Sequence, residues 1–154
     1  MTEQEFADRA EALKARLYRT ARLYLGSEAH ALDAVDEAVY QGFLHYKKLR
    51  QPEYFDTWLT RILINACNAE LRRRKRELAV AELPETAAEE FDALPLREAI
   101  ARLPKELRAV IVLRYFQGLT LAETAQALDI PPGTVSTRQR RALSLLKLHL
   151  TEEV

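Results

Sequence analysis

The chain is poor in turn formers. It has 4 glycines and 6 prolines in 154 residues, few for the many turns of an all-β fold, and this favours an all-helical protein. Its single cysteine, Cys67, excludes an internal disulfide and fits a reducing compartment. Its three histidines, His30, His45 and His149, are scattered without metal-ligand spacing, so neither a metal nor a cofactor is expected. The most apolar run, Ala109 to Leu113, is bracketed by Arg108 and Arg114. It falls far short of the roughly 20 apolar residues a membrane span needs. No signal peptide is read, so the expectation is a cytoplasmic protein without direct membrane insertion. No nucleotide-cradling loop or catalytic triad is visible, so no residue is assigned as catalytic and an enzyme is not expected. Charge excess is absent too: 23 basic and 23 acidic residues give a net charge of +0. Any nucleic-acid reading must rest on where the charges sit.

What is present is helical periodicity, in a chain that is 48% hydrophobic and so can build a core. Phe6, Ala10, Leu13, Leu17, Ala21 and Tyr24 recur at helical spacing, and Gly26-Ser27 stops and restarts the chain. A second helix carries Val35, Ala38, Val39, Gly42, Phe43 and Tyr46 on its inner side. After a loop at Pro52, a third runs from about Tyr54 to Arg76, with Phe55, Trp58, Leu59, Ile62, Leu63, Ala66 and Leu71 as its buried face. Residues 77–95 change character: six acidic residues mixed with alanines read as a flexible acidic linker. Residues 96–154 form a second helical block, in which Pro104 suits a helix start. The expected architecture is all-α: two small helical domains, 1–76 and 96–154, joined by the linker.

The most informative stretch runs from Gly118 to Lys147. Gly118 can end a helix in the left-handed conformation. Thr120 and Glu123 form a capping box for the next helix, and Leu121, Ala125 and Leu128 give it an apolar stripe. Pro131 and Pro132 end that helix and preset the next. In the following helix Val135, Ala142, Leu143 and Leu146 share one face, while Thr134, Thr137, Arg138 and Arg141 share another. That is the pattern of a helix-turn-helix with a polar, basic recognition helix for DNA. An ordinary helical hairpin with a solvated basic face is the competing reading.

On the third helix, Thr57, Arg61, Asn65, Asn68 and Arg72 step along a polar face that leads into Arg72-Arg73-Arg74-Lys75-Arg76. A polar stripe beside aromatic residues suits a nucleic-acid backbone with splayed bases. A solvated surface stripe is equally compatible with this helix alone.

At Pro52-Glu-Tyr-Phe-Asp-Thr-Trp-Leu-Thr-Arg-Ile-Leu-Ile-Asn-Ala-Cys-Asn68, with the basic run after it, the chain resembles region two of bacterial sigma factors of the extracytoplasmic-function group. Leu32-Asp-Ala-Val-Asp-Glu-Ala-Val-Tyr40 resembles the group's polymerase-binding segment. Leu103-Pro-Lys-Glu-Leu-Arg-Ala-Val-Ile-Val-Leu-Arg-Tyr115 and the helix-turn-helix resemble region four. The likeness covers nearly the whole chain in the family's order, and its loop at Pro52 is most similar to a stress-responsive Gram-positive branch.

The resemblance implies an alternative sigma factor. Its partners would be core RNA polymerase, promoter DNA and an anti-sigma factor, often membrane-bound. Asp33, Asp36 and Glu37 would bind polymerase, with Asp36 where the family often has Gln. Asn65, with the loop Leu49-Arg50-Gln51-Pro52, would hold a base flipped from the melted minus-ten element. Arg61, Asn68 and Arg72, Arg73, Arg74, Lys75 and Arg76 would line the displaced strand or the duplex just upstream. Thr134, Ser136, Thr137, Arg138, Arg140 and Arg141 would contact the minus-thirty-five element; at Ser136 and Arg140 the chain departs from the family's usual residues. For Asn65 a second role stays open, that of tying down the loop. Two other functions stay open beside the resemblance: a helix-turn-helix repressor or activator that binds DNA alone, and a purely protein-binding helical adaptor.

Overall fold

The computed structural model describes residues 1–78 and 94–152. Among the described residues all regular structure is helical. Helix α1 (Glu3–Leu25) opens on a capping box between Thr2 and Glu5 and closes at Gly26, whose φ of 73° is the left-handed conformation that glycine adopts without strain. Ser27 then caps α2 (Glu28–His45). Two single 3₁₀ turns, Tyr46–Lys48 and Pro52–Tyr54, lead into α3 (Phe55–Leu78). The acidic segment expected at 77–95 lies largely outside the described residues. Helix α4 (Leu94–Arg102) follows it, and Leu103-Pro104 separates α4 from α5 (Lys105–Ile111). A wider π turn, Val112–Phe116, extends α5 and ends at Gly118. Helices α6 (Leu121–Leu128) and α7 (Pro132–Glu152) complete the chain.

Helices α1, α2 and α3 form the first lobe. Its core is Phe6, Leu13, Leu17, Tyr24, Val35, Phe55, Leu59, Leu63 and Cys67. The ring of Phe6 stacks on Tyr46 at 5.3 Å and meets Phe55 edge-on at 5.8 Å. Gly42 is what lets α2 approach so closely: a Cβ there would sit 2.9 Å from the Leu59 Cδ1 methyl. In the second lobe, Ile100, Leu103, Leu107, Ile111, Val112, Ala142 and Leu146 pack α4, α5 and α7 together. Val110, Ala125 and Val135 seat α6 against α7.

The two lobes also pack on each other. Ile64 of α3 joins Leu113, Leu119 and Ala127 in one apolar cluster. This changes the expected faces. Thr57, on the polar stripe by helical spacing, is buried, and so is Thr60, because α3 buries a second side against the second lobe. Phe43 and Leu143, inner-face residues by helical spacing, are instead exposed. On α2 the inner positions are Ala31, Ala34, Val35 and Ala38, small enough for close helix packing, and the larger Phe43 is left at the rim.

Candidate nucleic-acid and polymerase interface

The helix-turn-helix forms as its local chemistry dictates. The Thr120 hydroxyl accepts from the Glu123 amide at 3.1 Å, and the Glu123 carboxylate accepts from the Thr120 amide at 2.9 Å. Helix α6 ends at Asp129, which takes the left-handed conformation at φ 57°. The prolines therefore follow the stop rather than make it. Aspartate tolerates this conformation better than most residues with a side chain. Pro131 then offers its carbonyl to the amides of Thr134 and Val135, and Pro132 begins α7. Arg114 braces the recognition helix: its Nε donates to Gln139 at 2.9 Å and its Nη1 to the Leu119 carbonyl at 2.8 Å.

On α7, Thr137, Arg140 and Arg141 are exposed, whereas Thr134, Ser136 and Arg138 are half-buried. The Thr137 hydroxyl is engaged with the Gly133 carbonyl at 3.0 Å. On α3, Arg61, Asn65, Arg72, Arg73, Lys75 and Arg76 are exposed. Asn68, Arg73 and Arg74 make contacts within the first lobe. The Asn68 carbonyl oxygen accepts from the Tyr24 hydroxyl at 2.6 Å. Arg73 grips both oxygens of buried Glu70 at 2.6 and 2.7 Å, and Arg74 donates to the Leu25 carbonyl at 2.7 Å, next to the Gly26 stop. A cation beside the carbonyls that end α1 is favoured by that helix's dipole. Within the basic run Arg74 is half-buried on the fold, Arg73 is paired with Glu70 while staying exposed, and Arg72, Lys75 and Arg76 are exposed.

Two hollows lie beside the middle of α3. One lies beside the loop and is lined by Leu49, Arg50, Gln51, Tyr54, Trp58 and Arg61, with Gln126 of α6 across from them. Asn65 does not line it. Asn65 opens instead on the second hollow, a cavity of about 320 Å³ between the lobes that it shares with Arg61, Asn68, Lys105, Asp129 and Arg138. Arg61 borders both. In this arrangement Asn65 and the Pro52 loop line different hollows. The loop hollow has Trp58 and Tyr54 as stacking surfaces, which spacing on α3 alone did not reveal.

On the far side of the first lobe, Asp33, Asp36 and Glu37 are all exposed on α2. Leu32, Tyr40, Phe43 and Leu44 are exposed on the same helix. Four large apolar side chains beside three carboxylates make a face suited to a protein partner. Leu32 and Tyr40 bound the segment that resembles the polymerase-binding one, but the sequence singles out only its acids; Phe43 is expected inward and Leu44 carries no signal.

The buried ionisable groups are structural. Burial raises the Tyr24 phenol well above its ordinary range, with Cys67 beside it adding to the effect. Burial pushes the Cys67 thiol up to about 12, helped by nearby Glu70. Such a thiol is an inert core group rather than a nucleophile. No group of His, Cys, Asp and Glu that could hold a metal ion occurs among the described residues, and no described helix is long and apolar enough to cross a membrane.

Comparison with known proteins agrees with this division into two lobes. Residues 10–77 match the family model for sigma-70 region 2, and residues 93–146 match that for sigma-70 region 4. The chain is 30% identical to the RNA polymerase sigma factor SigV of Bacillus subtilis over 145 residues, 91% of this chain and 87% of that protein. It is 33% identical to the ECF RNA polymerase sigma factor SigM of Mycobacterium tuberculosis over 136 residues, 85% of this chain and 69% of that one. Two solved structures share the fold. The sigma factor RpoE of Bartonella quintana, in complex with the anti-sigma factor NepR, superposes with a TM-score of 0.81 at 19% identity over 96% of this chain and 98% of that one. CnrH, in complex with the cytosolic domain of CnrY, gives 0.78 at 22% identity over 99% and 92%. The chain belongs to the extracytoplasmic-function group of sigma-70 RNA polymerase sigma factors, and is an alternative sigma factor that directs promoter-specific initiation of transcription.

Proposed function

We propose that the two lobes divide promoter reading between them. The first lobe binds core polymerase through Asp33, Asp36 and Glu37, with Leu32, Tyr40 and Leu44 beside them. It captures the melted minus-ten strand along α3. The second lobe lays α7 in the major groove of the minus-thirty-five duplex, where Arg138, Arg140 and Arg141 reach base edges or phosphates and Thr134, Ser136 and Thr137 reach phosphates. Unstacking bases costs a few kcal/mol per step. Stacking on Trp58 and Tyr54 and hydrogen bonding to the Asn65 amide, which both donates and accepts, offset that cost. The chain contributes binding, and the chemistry of RNA synthesis belongs to the polymerase. It works in the cytoplasm. Its activity is held in check by an anti-sigma factor, as the proteins RpoE and CnrH are seen bound to NepR and CnrY.

The observation that carries this reading is the outward set on two separate helices. Arg61, Asn65 and Arg72 on α3, and Arg140 and Arg141 on α7, are exposed while their helices are locked by packing. A randomised promoter library transcribed by polymerase with wild-type, Asn65→Ala or Arg138→Ala protein tests it. Asn65→Ala should relax preference only at the downstream element, and a pre-melted template should restore recruitment without restoring that preference. Arg138→Ala should relax one position of the upstream element, at a loss of about 1–3 kcal/mol. Unchanged preferences in both variants would refute the assignment.

A further inference from the structure

The fold fixes which end of the Asn68 amide faces outward. Asn68 is half-buried on α3 and lines the same cavity as Arg61 and Asn65. Its Oδ1 accepts from the Tyr24 hydroxyl of α1 at 2.6 Å. Tyr24 is 1% exposed, so the hydroxyl has nowhere else to turn. Arg108 holds Tyr24 in place: its Nη1 donates to the Tyr24 carbonyl at 2.7 Å, and its guanidinium lies over the ring. A buried hydroxyl needs an acceptor. Among the described residues the Tyr24 phenol has no hydrogen-bond partner besides Asn68. Burial also keeps that phenol protonated, and hence a donor, near neutral pH.

With Oδ1 committed to Tyr24, the end of Asn68 left for a ligand is Nδ2, which carries two hydrogens and accepts nothing. The polar atoms sealed in the described residues without a partner are Arg108 Nε and Thr124 Oγ1. Asn68 Nδ2, which bonds no described residue, is therefore reachable from the cavity that Asn68 lines. Arg61, on the same face of α3, likewise offers only donors. Asn65 differs. Its side chain has no hydrogen-bond partner among the described residues, so it can turn either end of its amide to a base edge. An amide locked with its donor outward suits an acceptor-rich sugar–phosphate backbone instead. Turned over, it would aim its carbonyl at phosphate oxygens and repel them.

We propose that Tyr24 is a positioning residue: its hydroxyl locks the Asn68 amide with the NH2 group outward, so that Asn68 holds a backbone phosphate oxygen of the melted promoter rather than a base. The inference rests on the assignment of Asn68 to promoter DNA and names the chemistry that it recognises. The two asparagines of the stripe then have separate tasks, base reading at Asn65 and backbone grip at Asn68. Asn68 grips as a neutral donor. It adds a hydrogen bond to a charged acceptor and releases no counterion, unlike the arginines beside it.

The test uses polymerase loaded with the whole chain and a pre-melted promoter. Tyr24→Phe, Asn68→Ala and the double variant are compared with wild type. Phenylalanine keeps the ring under Arg108 and alanine favours the helix, and circular dichroism verifies that each variant folds. Asn68→Ala should weaken promoter binding by about tenfold. Tyr24→Phe should weaken it by about twofold or more, because an unlocked amide shows its donor end only part of the time. The double variant should bind like Asn68→Ala alone. The salt dependence should be the same in all four proteins. Neutral methylphosphonate linkages are then placed one at a time along the promoter. One linkage should weaken wild type and have no effect on Asn68→Ala. A Tyr24→Phe protein with a lower urea midpoint but wild-type promoter binding overturns the positioning role and leaves a plain tie between α1 and α3. Loss on 7-deazapurine substitution, with no sensitive linkage, overturns the phosphate in favour of a base. Wild-type binding by Asn68→Ala overturns the DNA assignment of Asn68 itself.

Discussion

Gly42→Ala sets two opposed effects against each other on α2, the helix that carries Asp33, Asp36 and Glu37. Alanine is the better helix former by about 1 kcal/mol in a helix interior. Against this, the new Cβ would lie 2.9 Å from Leu59 Cδ1 and 3.3 Å from Phe6 Cε2 and Cζ. The Leu59 methyl ends a flexible side chain but is fully buried, so it has little space to rotate into. Phe6 is held between Tyr46 and Phe55 and next to Phe43, at 6.0 Å. Overpacking of this kind costs about 1–3 kcal/mol. The packing term offsets or outweighs the propensity gain, and the first lobe should lose up to about 2 kcal/mol. Urea unfolding followed by fluorescence of Trp58, the only tryptophan, measures this. Gly133→Ala is the matched control: nothing lies within 4 Å of its Cβ site, so helix propensity acts alone and stability should hold or rise. A Gly42→Ala protein stabilised by about 1 kcal/mol would refute the close approach of α2 to α3.

Reversing the charges of Asp33, Asp36 and Glu37 together should weaken binding to core polymerase while helicity and the urea midpoint persist, because all three are exposed; an unchanged affinity in a competition assay would count against the face. Stability should also fall in alkali. Burial raises the Cys67 thiol from 9.0 to about 12, so the unfolded chain ionises first. The stability held by that neutral thiol is complete below pH 9 and is lost above it, by about 1.4 kcal/mol per pH unit until near 12. The Tyr24 phenol, raised by burial from 10.0, adds loss in the same sense above pH 10. Urea midpoints from pH 7 to 10.5 check this, and Cys67→Ala should flatten the slope between 9 and 10; an equal slope in that variant would contradict the cause.

The helix-turn-helix was legible because its signals are local. The Thr120–Glu123 box, the Pro131-Pro132 pair and the apolar stripe of α6 each act within one or two turns. Buried α1 positions were legible for the same reason, since one face of one helix packs on one core. What the sequence hid is long-range. Thr20, Thr60 and Gln117 carry no periodic signature, and only their meeting across 97 and 57 residues of chain makes them a bridge. Thr57 and Ile64 follow from the same contact: α3 has two buried sides, whereas a periodicity reading supposes one. The roles within the basic run were hidden as well, because adjacent arginines look alike until Glu70 and the Leu25 carbonyl claim Arg73 and Arg74.

This chain confers promoter choice on polymerase and does not act on DNA as an independent repressor or activator. The most direct measurement is single-round transcription from a randomised promoter library by core polymerase, with and without the chain, with free-chain binding to the same duplexes measured in parallel. Initiation from one promoter class, bearing both an upstream and a downstream element, should appear only when the chain is added, and the free chain should show no comparable duplex specificity. Core polymerase whose start sites are unchanged by the chain, beside a free chain that selects a duplex site unaided, would contradict it.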